Sequence, residues 1–423
     1  MMATGKRYAS FIKNNLGFLS GFMHLGAIQV SNAVIQLLLF PLIIHVTGLE
    51  LFGIVMVANT YAALNALFIN YGTNQSGIKD VALFKNDRQK LSGVFYTIYA
   101  ARILLFFLSL ILLFVLYKFH FPNVGYFPFA LTIVFAEVLN PFFFFVGIEK
   151  VYLYNLVNLI SKTVSALLIY FLVKTPDLAG WVNFYLGIAN IGGYCFLTLF
   201  LVKKYGLVFN KISRKTLRNF FKLNFFLVGN NLSVQLQQSI FVFAISFTNN
   251  SMILGAYSFC DKIVWSFRLL IIAFTNAIFP KATHIFHTNP GKWRLFRKKI
   301  TMLLAALFIV AAFGILLLAP WVVHLFTKTN NELAIIYTRA ICLVPLIAAL
   351  NSMNVLDLLL KNKYNYIFFI AMILLAISAI VSFIFIRANN SGLFGYYQII
   401  VEIFSLPLYL YFMHKSDRKT DAF

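Results

Sequence analysis

At 423 residues, 61% of them hydrophobic and only 11% charged, the chain lies far from soluble domains, in which about a quarter of residues carry charge. Apolar stretches recur from end to end and leave no segment for a separate soluble domain. The net charge of +23 raises nucleic acid as a partner, but its distribution argues against that.

In chain order, the apolar runs predict twelve membrane-spanning helices over 19–45, 50–72, 93–117, 124–148, 151–173, 179–201, 223–247, 254–279, 301–326, 332–360, 364–386 and 392–413. Each is long enough to cross a hydrocarbon core of about 30 Å. The basic start MMATGKRYASFIKNN leads into an apolar region too long for a signal-peptide core, without a small-x-small cleavage site. Only Lys118, Lys174, Lys328 and Arg387 fall in the outer loops, and most of the 35 basic residues lie in the inner segments. That bias places both termini in the cytoplasm and explains the charge as topology, with attraction to anionic lipid headgroups as an addition.

Span one contains His24, read as a hydrogen-bonded packing histidine, within the amide-rich run HLGAIQVSNAVIQ. After span six comes KKYGLVFNKISRKTLRNFFK, a basic cytoplasmic linker over 203–222. It divides the chain into 1–202 and 223–423, each with six spans, so a repeat between the halves is parallel about the membrane normal. A constant offset of 202 places Ser31 on Ser233, Gln36 on Gln238, Gly53 on Gly255, Leu67 on Leu269 and Asn59 on Asp261. Span seven, VGNNLSVQLQQSI, matches span one in polar density. Gln235 and Gln238 share a face there and Gln237 points elsewhere. These amides serve either as hydrogen-bonding glue between helices or as the lining of a hydrated cavity that meets sugar hydroxyls.

Nine ionisable side chains other than histidine sit inside the predicted spans: Arg102, Glu137, Lys162, Asp261, Lys262, Arg268, Arg339, Asp357 and Glu402. Charge at membrane depth costs several kcal/mol, so it pairs or faces a watery path. Glu137 and Lys162, on consecutive spans at similar depth, are expected to pair, as are Asp357 and Lys361 four residues on. Asp261 and Arg268, seven apart, share a helix face with Trp265 between them, while Lys262 points about 100° away. That stripe suits a cavity wall and equally suits a helix packed by two separate ion pairs. Cys195, Cys260 and Cys342 read as buried small apolar side chains, and His284 and His287 as a solvated face. No Walker A, HExxH or GxSxG sequence is present, and the outer loops are too short for a catalytic domain, so the chain does not read as an enzyme.

Four short motifs carry a family resemblance: YGTNQSGIKDVALFKND after span two, VGIEKVYLYNLVN between spans four and five, GAYSFCDKIV at the start of span eight, and GLFGYYQIIVEIF in the last span. In this order and spacing the chain resembles the Wzx-type O-antigen flippases of the multidrug, oligosaccharidyl-lipid and polysaccharide exporter superfamily. The resemblance implies an all-α polytopic membrane protein, with two six-helix lobes around a central cavity. It also implies transfer of an undecaprenyl-diphosphate-linked oligosaccharide to the periplasmic leaflet of the bacterial inner membrane. Under it, Arg102, Lys162, Lys262, Arg268, Arg339, Gln235, Gln238 and Trp265 are candidates for the cavity. Asp261, then Glu402 and Glu137, are candidates to couple transport to protons or sodium, with no other cofactor. Expected partners are the lipid-linked glycan, membrane lipids, an O-antigen polymerase and a chain-length regulator. The readings left open are a drug–cation antiporter of the same superfamily, a lipid II flippase, and an integral-membrane O-antigen polymerase.

Overall fold

The computed structural model describes the backbone of residues 2–209 and 212–420. Side chains are described from Val30 to Ser416, apart from Asn32, Ala33, Gln36, Asn210, Lys211, Pro280 and Pro290. The expectations for His24, Gln29, Asn32 and Gln36 in span one therefore lie outside the described side chains.

Among the described residues the protein is helical, with no strand. In the apolar part of a bilayer each backbone N–H and C=O must be paired internally, and a helix does this within one segment. The first half comprises α1 (Met2–Asn70), α2 (Thr73–Phe84), α3 (Arg88–Lys118), α4 (Phe127–Leu139), α5 (Phe142–Gly147), α6 (Val151–Leu172) and α7 (Trp181–Tyr205). The second comprises α8 (Arg214–Ser246), α9 (Ser251–Thr288), α10 (Pro290–Thr327), α11 (Glu332–Ala340), α12 (Val344–Leu360), α13 (Tyr364–Ala388) and α14 (Tyr397–Thr420).

Ten stretches of the described residues are long and apolar enough to cross a membrane. Two observations relate them to the twelve expected spans. The first stretch, Leu37–Phe84, contains the sharp kink of α1 at Gly48, so it holds parts of both spans one and two. Span seven is α8, a long helix whose run of amides leaves it too polar to be counted.

Local chemistry explains the breaks. Gly48 has φ +77°, and open space surrounds the position a Cβ would take, so backbone conformation alone demands glycine there. Span four splits at Asn140–Pro141 into α4 and α5, and span ten splits before Pro345 into α11 and α12. The start of α3 is capped by Asp87, whose carboxylate accepts from the N–H groups of Gln89 (3.1 Å) and Lys90 (3.0 Å). The bond from Lys90 is the main reason its carboxyl sits below the usual carboxylate range.

The main neighbour of α1 is α9. A Cβ on Gly53 would lie 2.5 Å from the backbone N of Gly255, and one on Gly255 would lie 2.1 Å from the carbonyl oxygen of Leu49. Beside this contact the Ser251 hydroxyl donates to the Glu50 carboxylate at 2.7 Å. Gly53 and Gly255 are the pair that the offset of 202 aligns, so the two halves meet backbone to backbone at equivalent residues. Most of the cavity described next lies about two to four turns further along both helices.

Candidate functional site

A cavity of about 230 Å³ lies where α1 meets α8, α9 and α14. α1 contributes Phe40, Asn59, Thr60 and Ala63; α8 contributes Gln235, Gln237, Gln238, Ser239 and Val242. α9 supplies Asp261, Lys262, Val264, Trp265 and Arg268, and α14 supplies Tyr397, Gln398, Val401 and Glu402. Residues 59 and 63 of α1 correspond through the offset of 202 to residues 261 and 265 of α9. Equivalent positions of the two halves thus face one space.

The helical repeat accounts for most of this lining. Positions 261, 264, 265 and 268 fall on one stripe at intervals of three and four, as do 398, 401 and 402 on α14. Each acid on the stripe meets a base. Arg268 Nη2 donates to Glu402 Oε1 in a close ion pair. Lys262 Nζ lies 3.6 Å from Asp261 Oδ2, while Asp261 Oδ1 accepts from Gln398 Nε2 at 2.9 Å. Gln398 Nε2 also reaches the Tyr257 hydroxyl at 3.3 Å, and its Oε1 is buried with no donor. Behind Glu402, the Ser405 hydroxyl donates to the Glu402 backbone carbonyl at 2.5 Å and lies 3.1 Å from Oε2, and Asn351 Nδ2 donates to that hydroxyl at 2.5 Å.

Uncharged polar groups fill the rest. Gln235 Nε2 donates to Ser239 Oγ at 3.1 Å. Across the cavity Asn59 Nδ2 donates to Asn183 Oδ1 at 3.2 Å, and Asn183 in turn donates to the Val55 carbonyl at 2.9 Å. The arrangement offers amide donors and acceptors, the indole of Trp265, and charges that are already neutralised in pairs. It is equipped to hydrogen-bond a polar, hydroxyl-bearing group.

Of the candidate residues, Gln235, Gln238, Asp261, Lys262, Trp265, Arg268 and Glu402 come together here. Two expectations about direction are corrected. Gln237 lines the cavity beside its neighbours, and Lys262, set off by 100° at its Cα, returns along its flexible stem to pair with Asp261.

Arg102, Glu137, Lys162 and Arg339 do not line this cavity. Arg102 is fully buried in the first half, where Nη1 donates to the Asn140 carbonyl (2.5 Å) and the Glu137 carbonyl (3.2 Å). Its Nη2 donates to Thr73 Oγ1 at 2.6 Å, and its guanidinium lies 5.2 Å from the centre of the Phe143 ring. Glu137 is not paired with Lys162: its carboxylate accepts from Asn70 Nδ2 (2.7 Å) and Asn140 Nδ2 (2.8 Å). Together these groups clamp the α1–α2 turn to the α4–α5 break. Arg339 is exposed near the end of α11. Asp357 pairs with Lys361 at 2.5 Å as expected, forms a second ion pair with Arg297 at 3.0 Å, and accepts from the Trp293 indole at 2.7 Å.

Sequence reasoning missed Asn59 as a wall residue, and it missed Tyr397 and Gln398 altogether. Two signals were available: Asn59 is aligned with Asp261 by the internal offset, and Gln398 lies one helical turn before Glu402.

Residues 18–286 match the family described as "Polysaccharide biosynthesis protein". The chain is similar to the Escherichia coli K12 protein named "Putative O-antigen transporter", at 22% identity over 360 residues, covering 83% of this chain and 86% of that one. Among solved structures, it resembles the inward-facing form of a multidrug resistance MATE family transporter of the MOP superfamily. That match has a TM-score of 0.68 at 13% identity and covers 91% of this chain and 99% of the other. The lipid II flippase MurJ in an inward closed conformation gives a TM-score of 0.66 at 13% identity, covering 92% and 87% respectively. At such identities the likeness is one of fold.

Proposed function

The chain belongs to the polysaccharide biosynthesis protein family, and from that premise we propose that it exports lipid-linked oligosaccharide as a flippase. It moves undecaprenyl-diphosphate-linked O-antigen units from the cytoplasmic to the periplasmic leaflet of the bacterial inner membrane, with both of its own termini in the cytoplasm. The observation that carries this reading is the amide-rich cavity with two internal ion pairs at the junction of α1, α8, α9 and α14.

A glycan crossing a bilayer must exchange its water for protein hydrogen bonds, and Asn59, Gln235, Gln237, Gln238 and Gln398 supply groups for that exchange. The lipid tail stays in the bilayer. The two halves, 1–202 and 223–423 joined through 203–222, act as lobes that rock about the cavity. The close approach of Gly53 and Gly255, with the Ser251–Glu50 bond beside it, shuts the outer end, so the glycan enters from the inner side. Proton or sodium binding at Asp261 drives the cycle. Asp261 has the longer of the two cavity ion pairs, and the Arg268–Glu402 contact is closer. A carboxylate with a distant counter-ion is the easier one to neutralise with a transported cation.

The antiporter reading gains nothing from this geometry, because the cavity's acids are matched by bases and present no surplus of negative charge to an organic cation. The relatives are transporters and flippases, which also speaks against a polymerase. Deleting the gene and locating its lipid-linked glycan tests the proposal. Single repeat units retained on the cytoplasmic face are expected. A one-unit cap reaching the finished cell-surface polysaccharide would point to a polymerase instead.

A further inference from the structure

We infer that the sugar this cavity receives is electrically neutral, an uncharged hydroxyl- and amide-bearing residue, and that acidic sugars are excluded. The inference rests on the flippase reading above and adds the chemical class of its substrate. Its ground is the charge arrangement. Two basic side chains line the cavity, Lys262 and Arg268, and so do two acids, Asp261 and Glu402. Among the described residues each base lies beside one of the acids, so the described wall leaves no cation over for a ligand carboxylate.

An acidic sugar would have to draw Arg268 away from Glu402, whose side chain is only 8% exposed. The displaced Glu402 would then face the incoming anion with no counter-ion in a poorly hydrated space, where like charges repel strongly. Ser405, itself held by Asn351, packs behind the Glu402 carboxylate at 3.1 Å. Lys262 and Asp261 form a looser pair at 3.6 Å, with Asp261 also held by Gln398.

The remaining wall suits a neutral ligand. Amides donate and accept without charge, matching sugar hydroxyls and N-acetyl groups. Gln398 Nε2 is committed to Asp261 and Tyr257, which fixes its amide in the wall.

Binding to the full-length protein in lipid nanodiscs tests this, with three probes: polyprenyl diphosphate bearing a neutral N-acetylhexosamine, the same lipid bearing a hexuronic acid, and the bare lipid. The diphosphate is common to all three and cancels. The neutral glycolipid is expected to bind at least about tenfold more tightly than the acidic one. Glu402→Gln, which frees Arg268, should erase or reverse that preference. Asp261→Asn, which frees Lys262, gives a second reading should the first variant not fold. Equal or tighter binding of the acidic glycolipid by the wild type, or an unchanged preference in a folded variant, overturns the inference and leaves the flippase reading intact. Failure of all three probes to bind overturns both.

Discussion

Arg102 in the first half and Arg268 in the second are both arginines inside predicted spans, and their surroundings differ in one respect that governs what each can do. Arg102 is sealed: its two Nη groups donate to two backbone carbonyls and a threonine hydroxyl, its Nε is buried without an acceptor, and a phenylalanine ring packs against its guanidinium. Arg268 keeps 23% of its side chain accessible, faces a cavity, and holds a carboxylate. The acids differ in partner: half-buried Glu137 is taken by two amides, and buried Glu402 meets Arg268 in the cavity wall. A charge at membrane depth is therefore no sign of a transport path by itself. Accessible space beside it and a partner that can be exchanged separate the two cases.

Four experiments test that contrast, in decreasing order of expected effect. Arg102→Ala should be the most damaging to the fold, because it strips the donors from buried carbonyls at the α4–α5 break and unpins the α1–α2 turn. A loss of about 3–5 kcal/mol is expected in thermal or denaturant unfolding in detergent. A tolerated Arg102→Ala would put the sealed cluster on the same footing as the cavity pairs. For the second half, a double-mutant cycle on Arg268→Ala and Glu402→Ala should give a coupling energy of about 1–3 kcal/mol, with the double variant more stable than the single Arg268→Ala. Additive effects would mean that the pair is not energetically linked.

Asp261→Asn keeps the shape and the bond from Gln398 and removes only the charge. Stability should change by no more than about 1 kcal/mol while export of lipid-linked glycan is lost. Undiminished export at normal protein levels would remove Asp261 as the coupling residue. Asp87→Ala is expected to have the smallest effect, confined to fraying at the start of α3 and visible in amide hydrogen exchange. The sign of its pH dependence follows from its lowered pKa. The cap is present above the ordinary carboxylate range and is lost as pH falls through the depressed value, so the variant should differ from wild type near neutrality and converge with it in strong acid.

Hydropathy made the helices legible in the chain, because lipid leaves a long apolar segment no other way to pair its backbone. The break at Pro141 and the one before Pro345 were written as prolines inside long spans, yet both spans read as continuous. The amides dilute α8 enough that its span is legible from sequence context and not from its own apolarity. Side-chain partners were harder to read. Glu137 and Lys162 lie at matching depths on consecutive spans, but depth does not fix rotation about the helix axis, and Glu137 turns toward Asn70 and Asn140. Arg268 finds its acid 134 residues away on α14, a distance at which periodicity carries no information. Lys262 shows that a Cα direction misleads for a side chain long enough to bend back. The cavity itself was legible mainly through α9, where the stripe of Asp261, Trp265 and Arg268 was written at helical intervals.

The central claim is movement of a lipid-linked glycan between leaflets, and leaflet accessibility measures it directly. Proteoliposomes containing the purified protein, a polyprenyl-diphosphate-linked oligosaccharide and an imposed ion gradient would be probed from outside with a glycan-modifying enzyme that cannot cross the bilayer. The account predicts that the protected fraction of glycan becomes accessible with wild-type protein, and stays protected with Asp261→Asn or without protein. A protected fraction that remains the same with wild-type protein under both proton and sodium gradients would contradict it.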